Sequence, residues 1–92
     1  MSSGVLVLHF WSPTCNPCTM IKPALEVIKE EFEGQITWQS INIREDVRGI
    51  AAKLNVVAVP TVVVLKNNVE IARHSGTQIN IYYTIIRKAL AA

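Results

Sequence analysis

The stretch Val5-Leu6-Val7-Leu8-His9-Phe10 limits the folds open to this chain more than any other feature. It is an almost unbroken apolar run of strand length with β-branched members, and Ser12-Pro13 closes it. No polar face alternates with the apolar one, so the strand is expected to be covered on both sides. The sequence has 92 residues, half of them hydrophobic, which is enough for one domain spanning residues 1–92 with one core and too little for two.

The segments that follow supply the cover. From Pro17 onward, Ile21, Leu25, Ile28 and Phe32 recur at helical spacing, with Lys22, Glu26, Lys29 and Glu30 on the other side. This predicts an amphipathic helix ended by Gly34. Pro23 lies inside it, where it removes a backbone donor and clashes with the preceding turn, so a kink is expected rather than a break. Ile36 to Ile43 reads as a strand, and Asp46 introduces a short helix marked by Val47, Ile50, Ala51 and Leu54. Thr61 to Leu65 and Val69 to His74 are β-rich runs around Lys66-Asn67-Asn68, whose paired asparagines tolerate the positive backbone angles of a hairpin turn. Residues 77–90 carry many poor helix formers, yet Ile79, Tyr83, Ile86 and Leu90 share a helical face. Helix is favoured there, with Thr77 as its cap. The order β-α-β-α-β-β-α gives an α/β fold with helices layered around a mixed sheet.

Cys15-Asn16-Pro17-Cys18 stands where the first strand gives way to the long helix, and Pro17 suits that helix's opening turn. A disulfide redox centre needs one thiolate that attacks and a second thiol near enough to resolve the mixed disulfide, and two intervening residues meet that distance. Cys15 is the expected nucleophile, because unpaired N–H groups and the positive dipole end favour an anion at a helix start. Cys18 would sit one turn deeper. Moving a thiol from about 8.5 to about 7 takes roughly 2 kcal/mol, more than the 0.3 to 1 kcal/mol a helix end typically supplies, so a hydrogen bond from Cys18 is expected to contribute. A permanent staple is the bland alternative, but so short a loop constrains the unfolded chain least. Zinc is another, with His9 approaching the pair, yet four ligands are wanted and there is no second cysteine pair; His74 falls at the end of the hairpin.

The formal charge of +2 comes from scattered Lys and Arg without a basic stripe, so nucleic acid binding is not suggested. No segment is long enough to span a bilayer, and Met1-Ser2-Ser3-Gly4 lacks the basic residues of a leader. A cytoplasmic location is expected, and a framework of secreted disulfides is not.

The run from His9 to Pro23, including Trp11, the Cys15/Cys18 pair and the proline inside the helix, resembles the active-site segment of the thioredoxin family. Val59-Pro60-Thr61 matches that family's second signature, and Ile41-Asn42-Ile43, Lys66-Asn67-Asn68 and Gly76 continue the match over nearly everything after Gly4. The resemblance implies a minimal thioredoxin-like fold with a four-stranded sheet of order 2-1-3-4, helices on both faces, and no counterpart of the family's N-terminal strand and helix. It implies that Pro60 is cis beside the dithiol, leaving the Val59 backbone to pair with an extended substrate. It also implies a groove rimmed by Thr14, Ile43, Ala58, Val59, Pro60, Ser75 and Gly76, with Trp11 beneath the active-site loop. The activity implied is reduction or exchange of protein disulfides by a monomer that needs no cofactor or metal, re-reduced by a donor of the thioredoxin-reductase type.

Three positions depart from the family pattern within the site. His9 replaces a buried acid that helps deprotonate the resolving cysteine, and that acid's basic partner falls at Ser40. An imidazole could transfer the same proton, stabilise a thiolate if protonated, or stay neutral and fill space. Thr14 and Asn16 stand where tryptophan and glycine are usual; they bear on potential and substrate range, not on the exchange chemistry. Two other functions fit parts of the sequence. A glutaredoxin-like, glutathione-dependent enzyme would need a Gly-Gly and acidic cluster where this chain has His74-Ser75-Gly76-Thr77-Gln78. A peptide-binding or chaperone module would leave both cysteines without a purpose.

Overall fold

Val62, Val63 and Val64 follow one another along a strand and none has exposed surface. Successive strand residues point to opposite faces, so the sheet is covered on both, as the first apolar run requires. The computed structural model describes residues 4–92, and Met1-Ser2-Ser3, read above for a leader, lies outside the described residues.

The strands are β1 (Val5–Trp11), β2 (Thr37–Asn42), β3 (Thr61–Lys66) and β4 (Val69–Ser75), and the helices are α1 (Asn16–Glu31), α2 (Ile50–Lys53) and α3 (Ile79–Ala91). The sheet order is β2-β1-β3-β4. β1 runs parallel to β2, with His9 opposite Ser40, and antiparallel to β3, with Phe10 opposite Thr61. β3 and β4 form an antiparallel hairpin in which Thr61 faces Ser75. Asn67 and Asn68 both take positive φ, 51° and 69°, as expected of that turn.

On one face Val5, Val7, Val62 and Val64 pack with Ile21, Leu25 and Ile28 of α1 and with Tyr82, Ile85 and Ile86 of α3. On the other, Leu8, Phe10, Ile41 and Val63 meet the partly buried Ile50, Ala51 and Leu54 from α2 and its end. α1 runs through Pro23 without a break. Full burial of each such aliphatic side chain contributes roughly 1.5 to 3 kcal/mol, which offsets the cost of a proline within the helix.

Several boundaries differ from those expected. α1 ends at Glu31 with Phe32 as its cap, and Gly34 uses its freedom at φ 84° in the turn that follows. β2 is a residue shorter at each end, because Ile43 opens a 3-10 turn. Val47 lies outside the second helix and is 98% exposed. The Asp46 carboxylate accepts the N–H groups of Ile50 at 3.0 Å and Ala51 at 2.8 Å, which starts α2 later than the apolar spacing suggested. Thr77 does not cap α3; Gln78 holds that position without a side-chain hydrogen bond. The buried face of α3 is Tyr82, Ile85, Ile86 and Ala89, while Ile79, Tyr83 and Leu90 are only partly buried. The Tyr82 hydroxyl donates to the Gly76 carbonyl, which fixes that side of the helix inward. Among the described residues no helix is long and apolar enough to cross a membrane.

Candidate active site

At the end of β1 the chain is turned by Ser12. Its carbonyl accepts the Cys15 N–H at 3.2 Å, and its hydroxyl oxygen accepts the Thr14 N–H at 3.4 Å and lies 3.2 Å from the Thr14 hydroxyl. Sequence reasoning passed over Ser12; the available signal was a serine at the close of a strand, able to hold a turn with its own hydroxyl. This turn delivers Cys15 to the N-cap of α1.

Cys15 has extended backbone, φ −95° and ψ 106°, and its Sγ accepts the Cys18 N–H at 3.1 Å. The sulfur thus takes the place of the oxygen that a serine or aspartate offers at a helix start. Asn16 and Pro17 form the exposed first residues of α1, where the missing proline N–H leaves no partner unsatisfied. Cys15 and Cys18 are joined by a disulfide with their Cα atoms 5.2 Å apart. Cys18 is 4% exposed, whereas Cys15 is partly open. Of the two sulfurs, the one at the cap is the one a large molecule can reach.

The Val59-Pro60 peptide bond is cis and Pro60 is buried. Cys15 Sγ lies 3.7 Å from the Val59 carbonyl oxygen, a contact without a thiol proton while the disulfide is closed. The Thr61 hydroxyl donates to the Ala58 carbonyl at 2.6 Å, and the Gly76 N–H donates to the Pro60 carbonyl at 3.1 Å. Val59 thus meets the dithiol directly, and these bonds tie Ala58, Pro60, Ser75 and Gly76 to its loop at the same end of the sheet. Thr14 follows the C-terminal end of β1 and Ile43, 40% exposed, follows that of the parallel neighbour β2, so both belong to the same end. Val57, 96% exposed just before Ala58, adds apolar surface that the sequence reading did not include.

Behind the pair lies a cavity of about 400 Å³, whose walls include Cys18, His9, Trp11, Ser12, Lys22 and Ser40. His9 is 7% exposed. Its Nδ1 is 3.4 Å from the Ser40 hydroxyl, which also accepts the Trp38 indole N–H at 3.2 Å, and its Nε2 is buried without a partner. Burial lowers its pKa from the ordinary 6.5 to about 4, so the ring is neutral at physiological pH. Burial thus works against the thiolate-stabilising cation considered from the sequence. Among the described residues no group of three or more His, Cys, Asp or Glu side chains is placed to hold a metal ion.

Known proteins resemble the chain both in sequence and in fold. The family model described as Thioredoxin covers residues 1–87. Thioredoxin of Staphylococcus aureus is 33% identical over 78 residues, which are 85% of this chain and 74% of that protein. The structure of Fasciola hepatica thioredoxin superposes with a TM-score of 0.82 at 28% identity, over 95% of this chain and 83% of the other. A thioredoxin of Nicotiana alata gives 0.85 at 24% identity, covering 95% and 74%, and this likeness bears on the fold alone. Family, fold and cysteine pair agree: the chain belongs to the thioredoxin family and is a thiol-disulfide oxidoreductase.

Proposed function

We propose that the protein reduces disulfides in other proteins, with Cys15 attacking and Cys18 resolving. The observation that carries this reading is the partly open Cys15 sulfur at the α1 N-cap, accepting the N–H of a buried Cys18. In the reduced protein the Cys15 thiolate attacks one sulfur of the substrate disulfide and expels the other as a thiolate. Cys18 then loses its proton and attacks the Cys15 sulfur, closing the Cys15–Cys18 bond and releasing the second substrate thiolate. Two electrons pass to the substrate, and a reductase of the thioredoxin-reductase type returns them.

The substrate is an extended segment laid against the Val59 backbone, in the groove of Thr14, Ile43, Ala58, Pro60, Ser75 and Gly76. His9 is read as a neutral wall of the cavity behind Cys18. A proton moving from a thiol near 8.5 to a group near 4 runs uphill by roughly 6 kcal/mol, which argues against His9 as the acceptor. On this reading the Cys18 proton passes to solvent water rather than to His9.

Cys18→Ser should halt turnover and accumulate a mixed disulfide between Cys15 and a protein substrate, seen as a mass increase that dithiothreitol removes. Trapping through residue 15 in this variant supports the assigned order; full turnover without Cys18 would refute it.

A further inference from the structure

At the far side of the groove, two hydroxyls form a chain whose direction is fixed. Thr61 is 2% exposed and has a single hydroxyl proton, which it gives to the Ala58 carbonyl at 2.6 Å. Its oxygen also lies 2.6 Å from the Ser75 hydroxyl. With the Thr61 proton already used, Ser75 has to be the donor to Thr61. Two successive donors of this kind polarise one another, so the Ala58 carbonyl receives a strengthened bond. Ser75 is the last residue of β4, and the next residue, Gly76, ties the same loop through Pro60. The carbonyl so held directly precedes Val59, whose own carbonyl stands against Cys15 Sγ.

We infer that Ser75 is a positioning residue: by donating to Thr61 it holds the Ala58–Val59 backbone in the orientation that a substrate strand must meet. Groove lining would need only bulk at this position, whereas the relay needs a hydroxyl. The inference rests on the reading that Val59 pairs with an extended substrate. It assigns the end of β4 a part in binding rather than in electron transfer, so it predicts a change in KM without a matching change in kcat.

The test uses a peptide disulfide in two forms, one plain and one N-methylated on the backbone beside its cysteine. With wild-type protein, N-methylation should raise KM, because it removes a strand-pairing donor. Ser75→Ala should raise KM for the plain peptide about threefold to tenfold, the effect of one lost hydrogen bond, with kcat within about twofold. Ser75→Thr, which keeps the hydroxyl, should return KM to the wild-type value. If N-methylation leaves the wild-type KM unchanged, the Val59 reading fails and the Ser75 inference with it. If N-methylation acts but Ser75→Ala does not, or Ser75→Thr fails to rescue, the positioning role alone is overturned.

Discussion

A histidine shut into the interior beside a redox-active cysteine has consequences for the stability of the whole protein. His9 has a pKa of about 4 in the folded state against an ordinary 6.5, so between these values the unfolded chain takes up a proton that the folded one refuses. The stability associated with its neutral form is complete above about 6.5 and is lost progressively as pH falls toward 4, by about 3 kcal/mol in all. Urea unfolding of the wild type should therefore show a falling midpoint across this window, and His9→Leu should remove most of that dependence. An equal slope in the two proteins would show that His9 is not the group responsible. Ser12 works at the same scale but leaves no mark in hydrophobic periodicity, because its contribution is a local turn held by one hydroxyl.

Elements with a strong apolar pattern were legible. β1, α1 and the β3–β4 hairpin appear where spacing and turn chemistry place them, since their side chains fill the core on either side of the sheet. α2 and the start of α3 were read less well. α2 is set by the Asp46 carboxylate on Ile50 and Ala51, and the inward face of α3 is fixed by the Tyr82 hydroxyl on Gly76; such contacts depend on chain geometry that periodicity does not contain. The hairpin gives the sharpest element-level prediction. Asn68 is held at φ 69°, where a β-branched side chain is strained, so Asn68→Val should lower unfolding free energy by about 1 to 2 kcal/mol. Denaturant titration measures this, and a neutral effect would mean that the turn relaxes to another form.

At the scale of the whole molecule, the fold gathers three separate stretches of chain at one end of the sheet: the Ser12–Cys18 turn, the Ala58–Thr61 loop and the Ser75–Gly76 end of β4. The cysteines were readable from spacing and position alone. The cis bond at Pro60 was readable only through family resemblance, and the Ser75–Thr61–Ala58 chain not at all, because its members are far apart in sequence and chemically ordinary. The proposed attack by Cys15 requires that its thiolate be stabilised by the amide groups at the start of α1. The most direct measurement is the alkylation rate of each cysteine in the reduced protein as a function of pH, with mass spectrometry assigning the modified residue. Cys15 should react first, with a midpoint clearly below the value of about 8.5 for an unshifted thiol. A midpoint at or above that value, or faster labelling of Cys18, would contradict the account.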